Sequence, residues 1–270
     1  MIDGGPVGTL PPPFPGRWEQ AWVRGGAQGW RLRTDAGGVR HAKHGPLDGV
    51  DGLTGEVARL RWAAGRAPVP SVLVAPGDTG SGAAATTGWL LTDAPPGVPA
   101  DDPQHRMGSV EALLAALGAG LRRLHDTLPV DRCPFSAGLG TTLGRADQRL
   151  AEGDIDPDRL RGAYRHRTAA QLVDHLHSTF PTEPEPYRVV AHGDPCLSNL
   201  LVDPRSGLLS GVVGLGRLGV SDRYRDLAVV VRSLVDDLGP EVVWRFLDAY
   251  GVPHPDPARL EFYVLLDDLA

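Results

Sequence analysis

The chain has 270 residues, enough for one two-lobed domain or two small ones around a large core. Its formal net charge of −6 offers no basic footprint for nucleic acid or an anionic membrane surface and instead suits a cationic substrate. The two cysteines, Cys133 and Cys196, stand far apart in no disulfide-framework or thiolate-zinc spacing. No apolar run approaches the ~18 residues that span a membrane. Met1-Ile2-Asp3-Gly4-Gly5 lacks the basic-then-apolar order of a secretory leader, so the expected location is the cytoplasm.

After a Gly/Pro-rich start, Glu19 to Val23 reads as a strand, and Arg31 to Thr34 as its partner. Between them lies Arg24-Gly25-Gly26-Ala27-Gln28-Gly29-Trp30. A glycine-rich turn between strands lets backbone N–H groups approach phosphate oxygens, although a plain hairpin turn has the same composition. Val39 to Lys43 is the next strand. Lysine is rare in this chain beside arginine, which makes Lys43 informative. Asp51 to Arg66 has helical rhythm, with Thr54 as the expected N-cap and Val57, Leu60 and Ala64 on one side. Glu56 in its first turn suits the helix dipole and is equally placed to pair with Lys43.

Ser71 to Ala75 and Gly88 to Thr92 read as strands, and Thr92-Asp93-Ala94-Pro95-Pro96-Gly97 breaks the sheet. From there to Tyr187 the rhythm is helical. Val110 to Thr127 carries Leu113, Leu114, Leu117, Leu121 and Leu124 at helix spacing, with His125 expected as a dipole-compatible group near its end. Gly140 to Glu152 and Ala169 to Phe180 are further amphipathic helices. His175 and His177 have no third ligand and read as a solvated face.

Tyr187 to Ala191 is an apolar strand leading into His192-Gly193-Asp194, then Asn199. Leu200 to Val202 and Leu208 to Val213 flank the turn Asp203-Pro204-Arg205-Ser206-Gly207, a hairpin pattern. Asp194 and Asn199 stand at the H-x-D-x-x-x-x-N spacing of kinase catalytic loops. That chemistry needs a carboxylate to take the proton of the attacking hydroxyl and an amide oxygen to hold Mg²⁺ without adding charge. After the return strand an Asp-x-Gly metal tripeptide is expected; the chain has Gly214-Leu215-Gly216. Asp222 and Asp226 then open a helix towards Asp237, Asp226 being placed to anchor the loop from below. Glu241 to Tyr250 and Pro257 to Leu269 complete a helical end.

The strings HGDPCLSNLLVDP, GRLGVSDRYRDLA and EFYVLLDDLA together resemble the aminoglycoside O-phosphotransferases, most closely the 3′-phosphotransferases of kanamycin and neomycin resistance. HGDPC with Asp131-Arg132-Cys133-Pro134-Phe135 also resembles the streptomycin 3″-phosphotransferases. The resemblance implies an α+β, protein-kinase-like two-lobed fold: a nucleotide-binding lobe over residues 1–93, with five antiparallel strands and one helix, and a mostly helical catalytic and aminoglycoside-binding lobe over 94–270. It assigns Gly25, Gly26, Gly29, Lys43, Glu56, Thr92, Ala94 and Arg217 to the nucleotide. It makes Asp194 the base, Asn199 a magnesium ligand, and Asp267, Asp268 and Ala270 the contacts to substrate ammonium groups. The partners implied are an aminoglycoside and ATP with Mg²⁺, GTP being left open, with neither nucleic acid nor membrane. Gly214 stands where the family carries its principal magnesium aspartate. An impaired enzyme, a silent binding variant and a kinase for another hydroxylated metabolite therefore all remain open.

Overall fold

The computed structural model describes residues 10–24, 26–49, 51–79, 85–106, 108–155, 164, 166–179 and 187–269. The chain divides into two compact units. One holds the residues up to Gly97 together with Ser210–Gly216; the other holds Val98–Leu209 and Arg217–Ala270. No helix of the described residues is long and apolar enough to cross a membrane.

The first unit is built on five antiparallel strands in the order β1-β2-β3-β5-β4: β1 (Glu19–Arg24), β2 (Ala27–Arg33), β3 (Val39–Pro46), β4 (Ser71–Val74) and β5 (Thr87–Asp93). Alternation along the strands separates two faces. One face buries Ala42, Trp89 and Leu91 against Phe14, Trp18, Trp30 and Val74. The other carries Lys43 and receives α1 (Leu53–Ala63), whose Leu53, Val57, Leu60 and Ala63 are buried. The helix starts one residue before Thr54. Its N-cap is Gly52 without a side-chain cap, so Thr54 lies inside the helix rather than at its head. The segment after β9 (Leu209–Val212) belongs to this unit and is tied to it by the Val212 N–H, which donates to the Pro68 carbonyl at 3.0 Å.

In the second unit, the short strand β6 (Val98–Pro99) pairs antiparallel with β8 (Leu200–Val202); the helical rhythm of that region gave no sign of it. After α2 (Pro103–Arg106) comes α3 (Val110–Thr127), which spans the expected residues and is capped by Ser109 accepting from the Ala112 N–H at 3.2 Å. Its buried stripe of Leu113, Leu114, Leu117, Leu121 and Leu124 is the expected one. The helices α4 (Leu139–Glu152), α5 (Ala169–Ser178), α6 (Tyr224–Leu238), α7 (Val243–Tyr250) and α8 (Pro257–Leu269) follow. A two-stranded ribbon of β7 (Arg188–Ala191) and β10 (Gly219–Asp222) runs between them, with Ala191 opposite Gly219. The predicted hairpin turn closes through the Asp203 N–H to the Leu208 carbonyl at 2.9 Å.

Candidate active site

In the first unit, Lys43 and Glu56 meet as the sequence suggested: Nζ lies 2.7 Å from Oε2. The pair is mostly shielded, with side-chain exposures of 26% and 9%, so the ammonium is held in place yet still reachable. Lys43 is the only lysine in the chain. Of the glycine turn, Gly26 takes φ +75°, as a tight β1–β2 connection requires. Gly29 lies opposite Lys43 in the β2–β3 register; Gly25 lies outside the described residues. Thr92 is buried in β5, flanked by His41 of β3 and Val72 of β4. The Ala94 N–H donates to the Val39 carbonyl at 2.8 Å, so that donor is already engaged.

The Gly214-Leu215-Gly216 turn lies in this same unit. Gly214 has φ +75°, in the left-handed region, and a Cβ placed on Gly216 would stand 3.8 Å from Glu56 Oε2. The Gly214-Leu215-Gly216 turn thus passes beside the Lys43–Glu56 pair.

In the second unit, β7 delivers His192-Gly193-Asp194. Gly193 takes φ +87°, and a Cβ there would come within 2.3 Å of the Arg217 carbonyl oxygen, so only glycine fits. The loop hangs on Asp226 of α6. Asp226 Oδ2 accepts the His192 N–H at 2.6 Å and Oδ1 the Gly193 N–H at 2.8 Å. Asp226 therefore anchors the loop as expected. Arg225 adds a second support, donating from a buried guanidinium to the Ala137 carbonyl at 2.7 Å and towards the Gly193 carbonyl at 3.5 Å. Asn199 Nδ2 donates to the Asp194 carbonyl at 2.8 Å and lies 3.4 Å from its Oδ2. The amide thereby fixes Asp194 and keeps its own Oδ1 as an available oxygen.

Magnesium takes oxygen ligands and keeps several waters. Asn199 Oδ1 beside the Asp194 carboxylate fits an ion carried largely by nucleotide phosphates; among the described residues no three His, Cys, Asp or Glu side chains cluster as a metal site. Asp222, the other carboxylate near this segment, is committed elsewhere. Its Oδ1 accepts the Tyr224 N–H at 2.9 Å and its Oδ2 pairs with Arg259 at 2.5 Å. Cys196 is inert: burial, then the nearby Asp194 charge, pushes its thiol up to about 11.

The acidic end of α8 is not a free anionic tail. Arg232 of α6 reaches both its carboxylates, Nη2 to Asp267 Oδ2 at 2.7 Å as a charge contact and Nη1 to Asp268 Oδ1 at 2.9 Å as a hydrogen bond. Burial pushes the Asp267 carboxyl above its ordinary range; Arg232 opposes this and Asp194 adds to it. Arg217 lines a small enclosed cavity with Arg225, Tyr263 and Asp267. Ala270 lies outside the described residues. His177 makes an exposed ion pair with Asp147 at 2.8 Å. His125, expected as a helix-end group, is instead buried between Asp226 and Tyr250, because α7 packs on α3 at that point. Sequence reasoning missed Arg225, Arg232 and Tyr250, since each acts through a partner distant in the chain.

Comparison with known proteins defines the class. The family model of the phosphotransferase enzyme family APH matches residues 13–263, and the chain belongs to that family. It is 38% identical over 234 residues to an aminoglycoside 3′-phosphotransferase of Streptomyces fradiae, covering 84% of this chain and 83% of the relative. It is 35% identical to the streptomycin 3″-kinase of Streptomyces griseus over 98% and 97% of the two chains. Among solved structures, the aminoglycoside phosphotransferase APH(3″)-Id of Streptomyces rimosus aligns with a TM-score of 0.77 at 32% identity, over 93% and 92% of the two chains. The same protein has been solved with ADP and streptomycin (TM-score 0.74). The fold is thus the kinase-like one of the aminoglycoside phosphotransferases.

Proposed function

We propose that this chain transfers the γ-phosphate of ATP to a hydroxyl of an aminoglycoside in the cytoplasm. The observation that carries the reading is the held catalytic loop: Asp226 fixes the backbone entering Asp194 and Asn199 fixes the backbone leaving it. The first unit, residues up to Gly97 with Ser210–Gly216, serves as the nucleotide lobe and the second as the catalytic and acceptor lobe, so the boundary falls four residues beyond the expected 93 and the 210–216 segment joins the first lobe. Lys43, oriented by Glu56, binds phosphate oxygens, with Gly26 giving the backbone close approach; Gly29 is covered by the Trp22 indole and lends space to that ring instead. Asp194 orients the acceptor hydroxyl and takes its proton as the phosphoryl group departs. Asp267 and Asp268 bind substrate ammonium groups in competition with Arg232. Asn199 Oδ1 would hold magnesium, which neutralises phosphate charge when bound.

Gly214 supports a second reading, a chain that binds nucleotide and drug without turnover, because it offers no carboxylate where the family places one. Transfer of labelled phosphate from ATP to streptomycin, kanamycin and neomycin, run beside binding of the same drugs, tests both. Phosphorylated drug carries the first reading. Binding of both ligands without product carries the second, and binding of neither ends both.

A further inference from the structure

Register pairing places Trp22 of β1 opposite Gly29 of β2, Gly29 opposite Lys43 of β3, and Lys43 opposite Leu90 of β5. Directly paired residues project from the same face of a sheet, so Trp22, Gly29 and Lys43 form one row across it. Gly29 leaves a gap in that row, and the Trp22 indole fills it. Its Nε1 and Cε2 both lie 2.2 Å from where a Cβ on Gly29 would stand, so any larger residue would displace the ring. Lys43 Nζ lies 5.8 Å from the centre of the same indole. A large apolar side chain covering a glycine would ordinarily be buried, yet Trp22 is 43% exposed. Its indole N–H has no hydrogen-bond partner among the described residues. A donor next to the cation proposed to bind phosphate is matched to an anionic oxygen.

We propose that Trp22 is a nucleotide-contacting residue, its indole N–H donating to an oxygen of the polyphosphate that Lys43 binds. This rests on the ATP reading above. The placement favours phosphate: Trp22 shares the row of Lys43, the cation proposed to bind phosphate, whereas the His41–Thr92 pair lies two residues further along β3.

Trp22→Phe keeps an aromatic cover over Gly29 and removes the donor. Affinities for ADP, AMP-PNP and adenosine are measured on the parent and the variant, with melting temperature as the control for folding. A hydrogen bond to a charged oxygen predicts ADP and AMP-PNP binding weakened about ten-fold or more, with adenosine binding and melting temperature unchanged. Parental fluorescence minus that of the variant isolates Trp22 emission, which ADP but not adenosine should change. Unchanged ADP affinity would reduce Trp22 to a cover for glycine, and equal losses for ADP and adenosine would move the contact to the base; either overturns the proposal. If the parent itself binds no adenine nucleotide, the ATP reading fails and this contact with it.

Discussion

His125 and Asp226, 101 residues apart in the chain, meet with both side chains fully buried, Nε2 lying 2.9 Å from Oδ2. The other ring nitrogen of His125 lies 2.8 Å from the Tyr250 hydroxyl. Since Asp226 also takes the N–H groups of His192 and Gly193, one carboxylate joins α3 and α7 to the loop that carries Asp194. Burial works against its charge, but the hydrogen bond and charge of His125, the charge of His192 and the Gly193 N–H outweigh that effect. Together they hold the Asp226 carboxyl below the usual carboxylate range.

This gives a prediction about acid. A carboxyl whose folded value is depressed contributes stability that is fully present above its ordinary value near 3.8 and is lost as pH falls through the lower folded value. His125→Ala removes the partner that lowers Asp226 most, so acid unfolding should begin at higher pH than in the parent. Near-UV circular dichroism along a pH series reads this directly. An unchanged acid midpoint would mean that the His125 contact does not set the Asp226 charge.

Asp194→Asn keeps the shape of the loop and removes the carboxylate proposed as the base. Turnover should fall by about 10²–10⁴, the usual contribution of a positioned general base, while aminoglycoside binding stays close to parental. Single-turnover kinetics beside calorimetric drug binding separates the two. Near-parental rates would remove Asp194 from the role given to it.

The held loop was legible in part because its groups are local: Asp194 and Asn199 are five residues apart, and the Asn199 amide donates to the Asp194 carbonyl. The Lys43–Glu56 pair was legible from a strand end and a helix first turn. His125 was misread because nothing near it in the chain announces Tyr250 or Asp226; its burial is decided by α7 packing on α3. Arg232 went unseen for the same reason, since its two carboxylates lie on another helix. The left-handed backbone of Gly214 was not legible, because glycine tolerates either sign of φ.

Asp267 should trade stability against binding. Its carboxyl is raised first by burial, so where ionised it weighs against the fold, and stability recovers as pH falls through its folded value. Asp267→Asn removes that cost, and Arg232 keeps Asp268 as a partner. At neutral pH the melting temperature should hold or rise, while kcat/KM for the aminoglycoside falls about ten-fold or more through loss of a charge-assisted contact. A sharply lower melting temperature with unchanged kcat/KM would make Asp267 a structural ion-pair partner and not a ligand for the drug.

Restoring a carboxylate at Gly214 tests whether this position limits turnover, and the backbone makes that variant feasible. At φ +75° most side chains pay about 1–2 kcal/mol, but aspartate and asparagine enter the left-handed region more readily than others. Gly214→Asp should therefore fold with only a modest loss in melting temperature. It puts a carboxylate back on the turn that passes beside the Lys43–Glu56 pair, where the proposed reaction would handle phosphate charge. Charge that develops during transfer is what such a ligand serves, so kcat should rise on the order of 10²-fold, with nucleotide affinity changing far less because Lys43 and the glycine turn are untouched. The magnesium concentration needed for half-maximal activity should fall as well. Gly214→Ala is the control, since it takes at least as much backbone strain without the carboxylate and should match or fall below the parent. Equal kcat in the Asp and Ala variants would show that no carboxylate is wanted at this position and that the chain manages its phosphate charge with the residues it already has.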